Sequence, residues 1–519
     1  MKNILLSLIV LLGIVSLKAQ PNIQKNIYLA EKYCSDSIFP TNFYLAHTNG
    51  VKYSTFPYGG KQYFAKLDAN YDTLYTVAFK GNLYSEARQI VELPNGNILM
   101  VGTTESYDNG YMFGFPNRGW QTWLMELDTM GNFIKAKTFG GLVWNAKASI
   151  TSDGYILVTG TSNGNFHEFT HPPNGGGDFA WVAKYDTAFN KVWIKIFDTN
   201  GNDTWPTIQE ITPSRYMVGF QSTGTDADAV PVEAKGLDDM VVHYIDSSAN
   251  TIWKHRFGSA AGDVTRLSAV DPITKDVYFV GVAKGPGGDI SWFSGICWVQ
   301  KVDTFGNNKG SKSYGGTGDH FSQDALWFNG NLWIFSYSAG NTVGDDMEIN
   351  TGMSSTDDSW IAVIDTNVNL IAKYTLQSTY NDYIYDAFID NNEIYATGDV
   401  GTAGITQYKC DTANNFKFVF KLGIAPLGIN EKEQVTKELF IIYPNPTDKK
   451  LFIKINEKYV GERGELVIFD IEGKTVFRQN IKRLNDEKEI DCSTWKAGNY
   501  VVQLVINKSI QSSKKFTKQ

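Results

Sequence analysis

His167, Glu168 and His171 stand in the order H-E-x-x-H. That spacing places two imidazoles on one face of a helix to hold zinc, with the glutamate serving the metal-bound water. The flanks forbid the helix: Gly164 precedes, and Pro172, Pro173 and Asn174-Gly175-Gly176-Gly177 follow at once. The match is a false positive. Two carboxylate clusters, Asp226 with Asp228 and Asp345 with Asp346, gather oxygens of the kind that bind Ca2+. Neither follows the EF-hand pattern, and a solvated acidic loop accounts for the same residues. Ca2+ is thus the one cofactor the sequence suggests, and no motif requires it. Glu168, Asp178, Asp239 and Asp346 are loop carboxylates from which an acid–base pair for polysaccharide cleavage would be drawn. Such a pair needs two carboxyls about 5–10 Å apart, one with a raised pKa, and spacing does not choose among the four. The chain carries no Walker A sequence, no G-x-S-x-G, and no G-x-G-x-x-G between a strand and a helix.

A third group is aromatic: Tyr111, Phe113 and Trp120, then Phe166 and Phe169, then Trp292 and Phe293. Rings beside carboxylates and amides suit stacking on sugar faces, and equally a protein partner. Packing of loop on loop is the bland alternative. These residues share an address, because all fall in long connections of a repeat.

Seven aspartates recur behind an apolar position: Asp68, Asp128, Asp186, Asp246, Asp303, Asp365 and Asp411, spaced 60, 58, 60, 57, 62 and 46 residues apart. Each ends an alternating strand such as WVAKY and precedes a second such as KVWIKIF. Strands like AKASITS and YILVTGT complete the unit. Four short strands per unit of this length predict an all-β chain, a β-propeller of about seven four-stranded blades. The first blade's inner strands are expected between Asn26 and Phe56, the poorest match. The aspartate's expected task is an Asx turn joining the third and fourth strands, with the neighbouring hydroxyl. Connections from second to third strand are long in five successive blades and share one face, an expected crescent for a glycan or protein ligand.

Composition agrees. Charged residues are 20%, aromatics 14%, and glycines number 48, a profile of glycine-turned, aromatic-packed strands. From Phe440 to Gln519 there are 15 Lys and Arg against 10 Asp and Glu, a net of +5, which leaves −13 of the overall −8 on the rest. An acidic body excludes a nucleic-acid partner, since counterion release would reward nothing there. Residues 1–19, with Lys2, an apolar run from Ile4 to Leu17 and Ala19, predict a signal peptide cleaved before Gln20 and hence a mature chain with no transmembrane anchor. In an oxidising compartment Cys34 and Cys410 are the candidate disulfide, and four buried thiols the alternative.

The propeller is expected over 20–422 and a polar linker over 423–439. Residues 440–519 then predict a small Ig-like β-sandwich from strands such as LFIKI, ELVIFD, KTVFRQ and YVVQLVI. Here a resemblance becomes specific. YPNPT (Tyr443, Pro444, Asn445, Pro446, Thr447), FDIEGKTV with Gly473 and Lys474, WKAGNYVV with Gly498 and Tyr500, and KKF with Lys514 and Lys515 stand in order. They resemble the type A C-terminal sorting domain of type IX secretion cargo. The resemblance implies passage through the periplasm and the type IX secretion machinery to the cell surface or medium, with removal of the domain near the linker. More loosely, residues 60–420 resemble the delta-sixty repeat propellers often joined to such domains. That likeness implies no defined activity, and leaves an exported binding protein as the leading expectation and a polysaccharide-acting enzyme as its rival.

Overall fold

The computed structural model describes residues 25–35, 44–48, 51–58, 61–67, 73–79, 81, 83–106, 120–139, 144–163, 177–197, 199–225, 236–293, 297–315, 320–339, 343–344, 347–348, 357–376, 381–390, 392–400, 416–426, 440–455, 463–470, 474–481, 487–506 and 509–519. The described residues contain no helix. Two compact units emerge, Met1–Leu427 and Gly428–Gln519. The expected signal peptide, Asp68, Asp411 and Cys410 lie outside the described residues. Cys34 lies in the strand Lys25–Ser35, and Cys297 and Cys492 are buried free thiols.

The first unit is a seven-bladed propeller. Six blades are sequential antiparallel sheets, opening with Tyr44–Thr48, Ser85–Glu92, Trp144–Ile150, Asp203–Thr212, Asp263–Val270 and His320–Phe328. First strands of neighbouring blades pack together from Tyr44–Thr48 to Trp144–Ile150 and from Asp203–Thr212 to His320–Phe328, and Asp203–Thr212 meets the second and third strands of the third blade. That of the seventh blade, Asp382–Asp390, packs against both His320–Phe328 and Tyr44–Thr48. The seventh blade takes Glu393–Val400 and Phe416–Pro426 next, and its outermost strand is Lys25–Ser35 from the other end of the chain. Two expectations are corrected by this closure. Residues 26–35 serve the last blade rather than the first, and the third strand of the last blade is Phe416–Pro426, not a segment ending at Asp411. That strand also takes in Gly423–Pro426, expected to begin the linker. The physical reason is the edge: pairing Lys25 with Pro426 through to Ser35 with Lys417 joins the two ends of the ring in one sheet.

Second and third strands are buried on both faces, because each blade is covered by a neighbour on either side. The repeated tryptophans Trp123, Trp181, Trp298 and Trp360 are wholly enclosed. Positions that alternate as polar are enclosed as well and must be paired. Lys184 reaches Tyr216 Oη at 2.8 Å, and Lys301 reaches Asp276 at 2.9 Å.

Five of the repeated aspartates are described, and they act alike. Oδ1 of Asp128, Asp186, Asp246, Asp303 and Asp365 accepts the backbone N–H groups two and four residues on, at 2.8–2.9 Å. Oδ2 accepts from the side-chain amide of an asparagine four residues on, Asn132, Asn190, Asn250, Asn307 or Asn369, at 2.8–3.1 Å. The Asx turn is as expected; its partner is this asparagine rather than the adjoining hydroxyl. The residue before each asparagine takes a left-handed conformation, including Phe189 at φ 64° and Val368 at φ 55°. That residue closes a hairpin of the bulged type. The turns also bind the preceding blade. Thr187 and Phe189 carbonyls accept from Lys135 and Lys137, the Thr304 carbonyl from Trp253, and the Thr366 carbonyl from Lys301.

The second unit holds two sheets. Phe440–Tyr443, Lys450–Ile455 and Glu487–Asp491 form one; Thr475–Ile481, Gly464–Asp470, Gly498–Ile506 and Ser509–Lys518 form the other. Phe440, Leu451, Ile453 and Ile455 meet Leu466, Ile468, Val502, Leu504 and Phe516 in a shared apolar core.

Candidate functional site

The first strands share an irregularity that positions a site. In six of the seven blades the register between first and second strand slips near the start of the first strand: after Ala87, Trp144, Thr204, Thr265, Ser322 and Ile384. Each slip is a β-bulge, and a bulge re-aims the side chain that it inserts. Arg88, Arg266, Gln323 and Tyr385 occupy the same place, the fourth residue of their strands, and Trp205 and Ala146 sit at the corresponding bulges. All six line one cavity of about 570 Å3 at the centre of the ring. A second cavity of about 290 Å3 shares Gln89, Lys147, Arg266 and Asp324 with it and continues along the channel between deeper residues such as Ser149 and Gln209.

This collar lies toward the face of the long loops. Ser85 pairs with Thr104 and Asp263 with Ala283, so the first strands begin where the second strands run out into the long connections. The bulges come three residues later.

Side chains at the collar bind blade to blade. Gln89 Oε1 accepts the Ala148 N–H at 2.6 Å, Gln62 Oε1 the Ala87 N–H at 2.7 Å, and Asp324 Oδ2 the Ala387 N–H at 3.0 Å. Asp324 Oδ1 takes the N–H of Ala325 at 2.8 Å, and Asp386 hydrogen-bonds to the same carboxyl. Burial holds the Asp324 pKa above the usual carboxylate range, against the pull of Lys147 and these hydrogen bonds. Arg88 Nε lies 3.2 Å from Glu86 Oε1, and Glu86 Oε2 also accepts from Tyr84.

Aromatic rings continue around one side. The Arg266 guanidinium sits 4.5 Å from the Trp205 ring and 5.1 Å from that of Phe321. Phe321 stacks on Tyr337 at 5.1 Å, Tyr337 meets Tyr383 edge-on at 4.9 Å, and Tyr383 stacks on Tyr385 at 5.9 Å. The Tyr383 hydroxyl donates to Asp357 at 2.6 Å, with burial and that carboxylate keeping it protonated. Rings, cations, amides and carboxyls thus converge on one concave space within the roughly 300–1,000 Å3 usual for small-ligand pockets.

The residues expected from sequence fare unevenly. Tyr111, Phe113, Phe166, Phe169, Asp226, Asp228, Asp345, Asp346 and Glu168 lie outside the described residues. Trp120 is half-buried, its ring edge-on to Tyr84 at 5.2 Å. Trp292–Phe293 forms a two-residue strand parallel to the outer strand of the fifth blade, opposite Lys312 and Ser313. Asp239 is buried against Arg256 at 3.0 Å, and Asp178 accepts from Asn163 at 2.9 Å. The residues that line the collar were absent from the expectation. Their signal was present: buried positions flanking the bulge, Ala87 and Ile90, Ser322 and Ala325, Ile384 and Ala387, are three residues apart where unbroken alternation would set them two or four apart.

In the second unit the sorting-motif residues come together. Asn445 donates its side-chain amide to the Lys515 carbonyl at 3.2 Å and accepts the Thr517 N–H at 3.0 Å. Tyr500 stacks on Phe516 at 5.5 Å and donates to the Lys496 carbonyl at 2.7 Å. Tyr443, Pro444 and Pro446 are exposed beside Asn445, Gly498 opens the strand that carries Tyr500, and the Lys474 N–H closes a turn on Asp470 at 2.9 Å. Lys514 is half-buried and Lys515 exposed; Gly473 lies outside the described residues.

The class of protein follows from this second unit: residues 441–519 match the secretion system C-terminal sorting domain. The chain is cargo for export by the type IX secretion machinery, to the outer cell surface or the medium. No helix among the described residues is long and apolar enough to cross a membrane. No curated protein sequence matches the chain. Solved structures similar to it include a protein of unknown function from Bacteroides caccae, at 10% identity over 64% of this chain and 93% of that one, TM-score 0.33. A DUF4221 family member from Bacteroides vulgatus has 9% identity over 78% and 99%, TM-score 0.35. A Lactobacillus plantarum protein has 11% identity over 66% and 90%, TM-score 0.38.

Proposed function

We propose that this chain is an exported glycan-binding protein: the sorting domain delivers the propeller outside the cell, and the propeller holds a saccharide in the collar at the head of its channel. One observation carries the reading. Six blades place a bulge at the same level, and the residues so re-aimed include two arginines, a glutamine, a tyrosine and a tryptophan around a single cavity. Flat rings offer faces to the C–H side of a sugar, and amides and charged groups offer hydrogen bonds to its hydroxyls. A cavity of about 570 Å3 suits a sugar or a chain end rather than a protein surface. The long connections on the same face, with Tyr111, Phe113, Phe166 and Phe169, would form outer walls that extend the site.

The rival reading is glycoside cleavage. It requires carboxyls about 5–5.5 Å or 6.5–9.5 Å apart, whereas Asp324 and Asp386 hydrogen-bond directly and Asp324 is committed to two backbone N–H groups. Binding without turnover is the better fit. The full chain on a broad glycan array, with and without EDTA, tests it. Saturable binding that falls at least about ten-fold in Trp205→Ala and in Tyr385→Ala supports the collar. Binding unchanged in both variants places the ligand elsewhere, and silence across the array ends the glycan reading. Loss in EDTA would give the acidic loops a Ca2+ role.

A further inference from the structure

We infer that the collar takes an acidic saccharide, a sugar bearing a carboxylate that Arg266 receives. The inference rests on the glycan reading and narrows it to a chemical class. Arg266 is held in the cavity wall between two aromatic rings, and among the described residues no carboxylate pairs with it. Its Nε is buried without a hydrogen-bond partner. A guanidinium drawn out of water with no anion beside it is costly, and the cost is recovered when an anion arrives.

The nearby acids are already engaged. Glu86 faces Arg88 and Tyr84, Asp324 takes two backbone N–H groups and Asp386, and Asp357 accepts from Tyr383. None of these contacts involves Arg266. Burial disfavours its charge, and no neighbour offsets this with a hydrogen bond. His320, beside it, is buried and kept neutral at ordinary pH, its pKa brought down to about 3 by burial and by Arg266 itself. Arg88 and Lys147 line the same cavity, but Arg88 faces Glu86 and Lys147 acts on Asp324, so among the described lining residues Arg266 is the cation left without a carboxylate. A single guanidinium fork matches one carboxylate, whereas a dianionic phosphate would call for more. The ring side of the collar then receives the sugar: Trp205 lies against Arg266, and Tyr385 stands across the same cavity with Gln323 between their blades. A uronic acid presents this pair of features, a flat ring and a carboxylate on its rim.

The test compares tetramers of galacturonate, glucuronate and mannuronate with their methyl esters, by calorimetry on the full chain. Esterification removes the charge and keeps the sugar, so the wild-type protein alone decides the matter. At least one acid tetramer should bind, with its ester about ten-fold weaker or worse. Arg266→Met should bring acid and ester to equal, weak binding, and Arg266→Lys should restore part of the preference; thermal unfolding checks that both variants fold. Equal binding of acid and ester by the wild type overturns the inference and leaves the glycan reading standing. So does binding of neutral array glycans alone. No binding to any saccharide overturns both.

Discussion

At the scale of single residues, each described turn aspartate accepts three hydrogen bonds in a position that water can reach. Asp303→Ala should therefore cost about 2 kcal/mol, and Asn307→Ala, which removes one of the three, about 1 kcal/mol. Urea unfolding of the full chain measures both; no loss in Asn307→Ala would mean that the asparagine adds nothing beyond its backbone N–H. These contacts also carry a pH signature. At Asp128 and Asp303 burial opposes ionisation, and the hydrogen bonds from asparagine and backbone outweigh it; at Asp186 and Asp246 the asparagine contacts lead. All four pKa values are lowered on folding, so their contribution is complete above the ordinary value of 3.8 and is lost as pH falls through the depressed one. Asp263 runs the other way. Burial, with Asp239 and Asp238 nearby, pushes it up to about 7. Between 3.8 and about 7 the folded chain keeps a proton that the unfolded chain releases, so stability declines as pH rises through that window. Asp263→Asn should gain stability relative to wild type on going from pH 5 to pH 8. A variant that keeps a constant offset at both values removes Asp263 from the titration.

At the scale of elements, what could be read in advance was what is local. Period-two alternation, glycine turns and the Asp-x-x-x-Asn spacing belong to contiguous residues, so five of the seven expected turns can be seen where the repeat placed them. The closing strand could not be read that way. Nothing within Lys25–Ser35 names Phe416–Pro426 as its partner, since the choice is made by the far end of the chain. The bulges were hidden for a different reason. An inserted residue reverses the phase of alternation halfway along the strand, so that Arg88 and Arg266 look like ordinary outward positions until the register is known. The long-loop aromatics drew attention because loops are where ligands are usually met, and the inner strands drew none. The closure makes its own prediction. Tyr33 pairs with Val419 in the middle of the seam, and Tyr33→Pro removes a backbone donor and fixes an unsuitable dihedral there. Limited proteolysis should then cut first within Lys25–Ser35, and the thermal midpoint should fall. Unchanged resistance would show that the seventh blade holds without its outer strand.

At the scale of the whole molecule the two units divide the work. The motif blocks of the sorting domain are distant in sequence and meet through Asn445, Thr517, Tyr500 and Phe516. Their legibility came from short contiguous strings in a fixed order, whereas the residues that line the propeller's cavity are scattered over six strands. Deleting residues 440–519 should leave a folded propeller in the periplasm of a type IX secretion host, measured by cell fractionation and protease resistance. Export of the truncated chain would separate the matched domain from its sorting role.

The seam has a mechanical meaning. Lys25 and Pro426 are register partners, so the chain enters and leaves the ring at the same corner of one sheet. A load applied between Lys25 and Pro426 opens that corner like a zipper, one ladder rung after another, instead of shearing all rungs together. Tension across the two termini is thus resisted weakly. A protein drawn outward by its tail while its front end is still held would come undone at one strand first, and on release that strand could re-dock without refolding the other six blades.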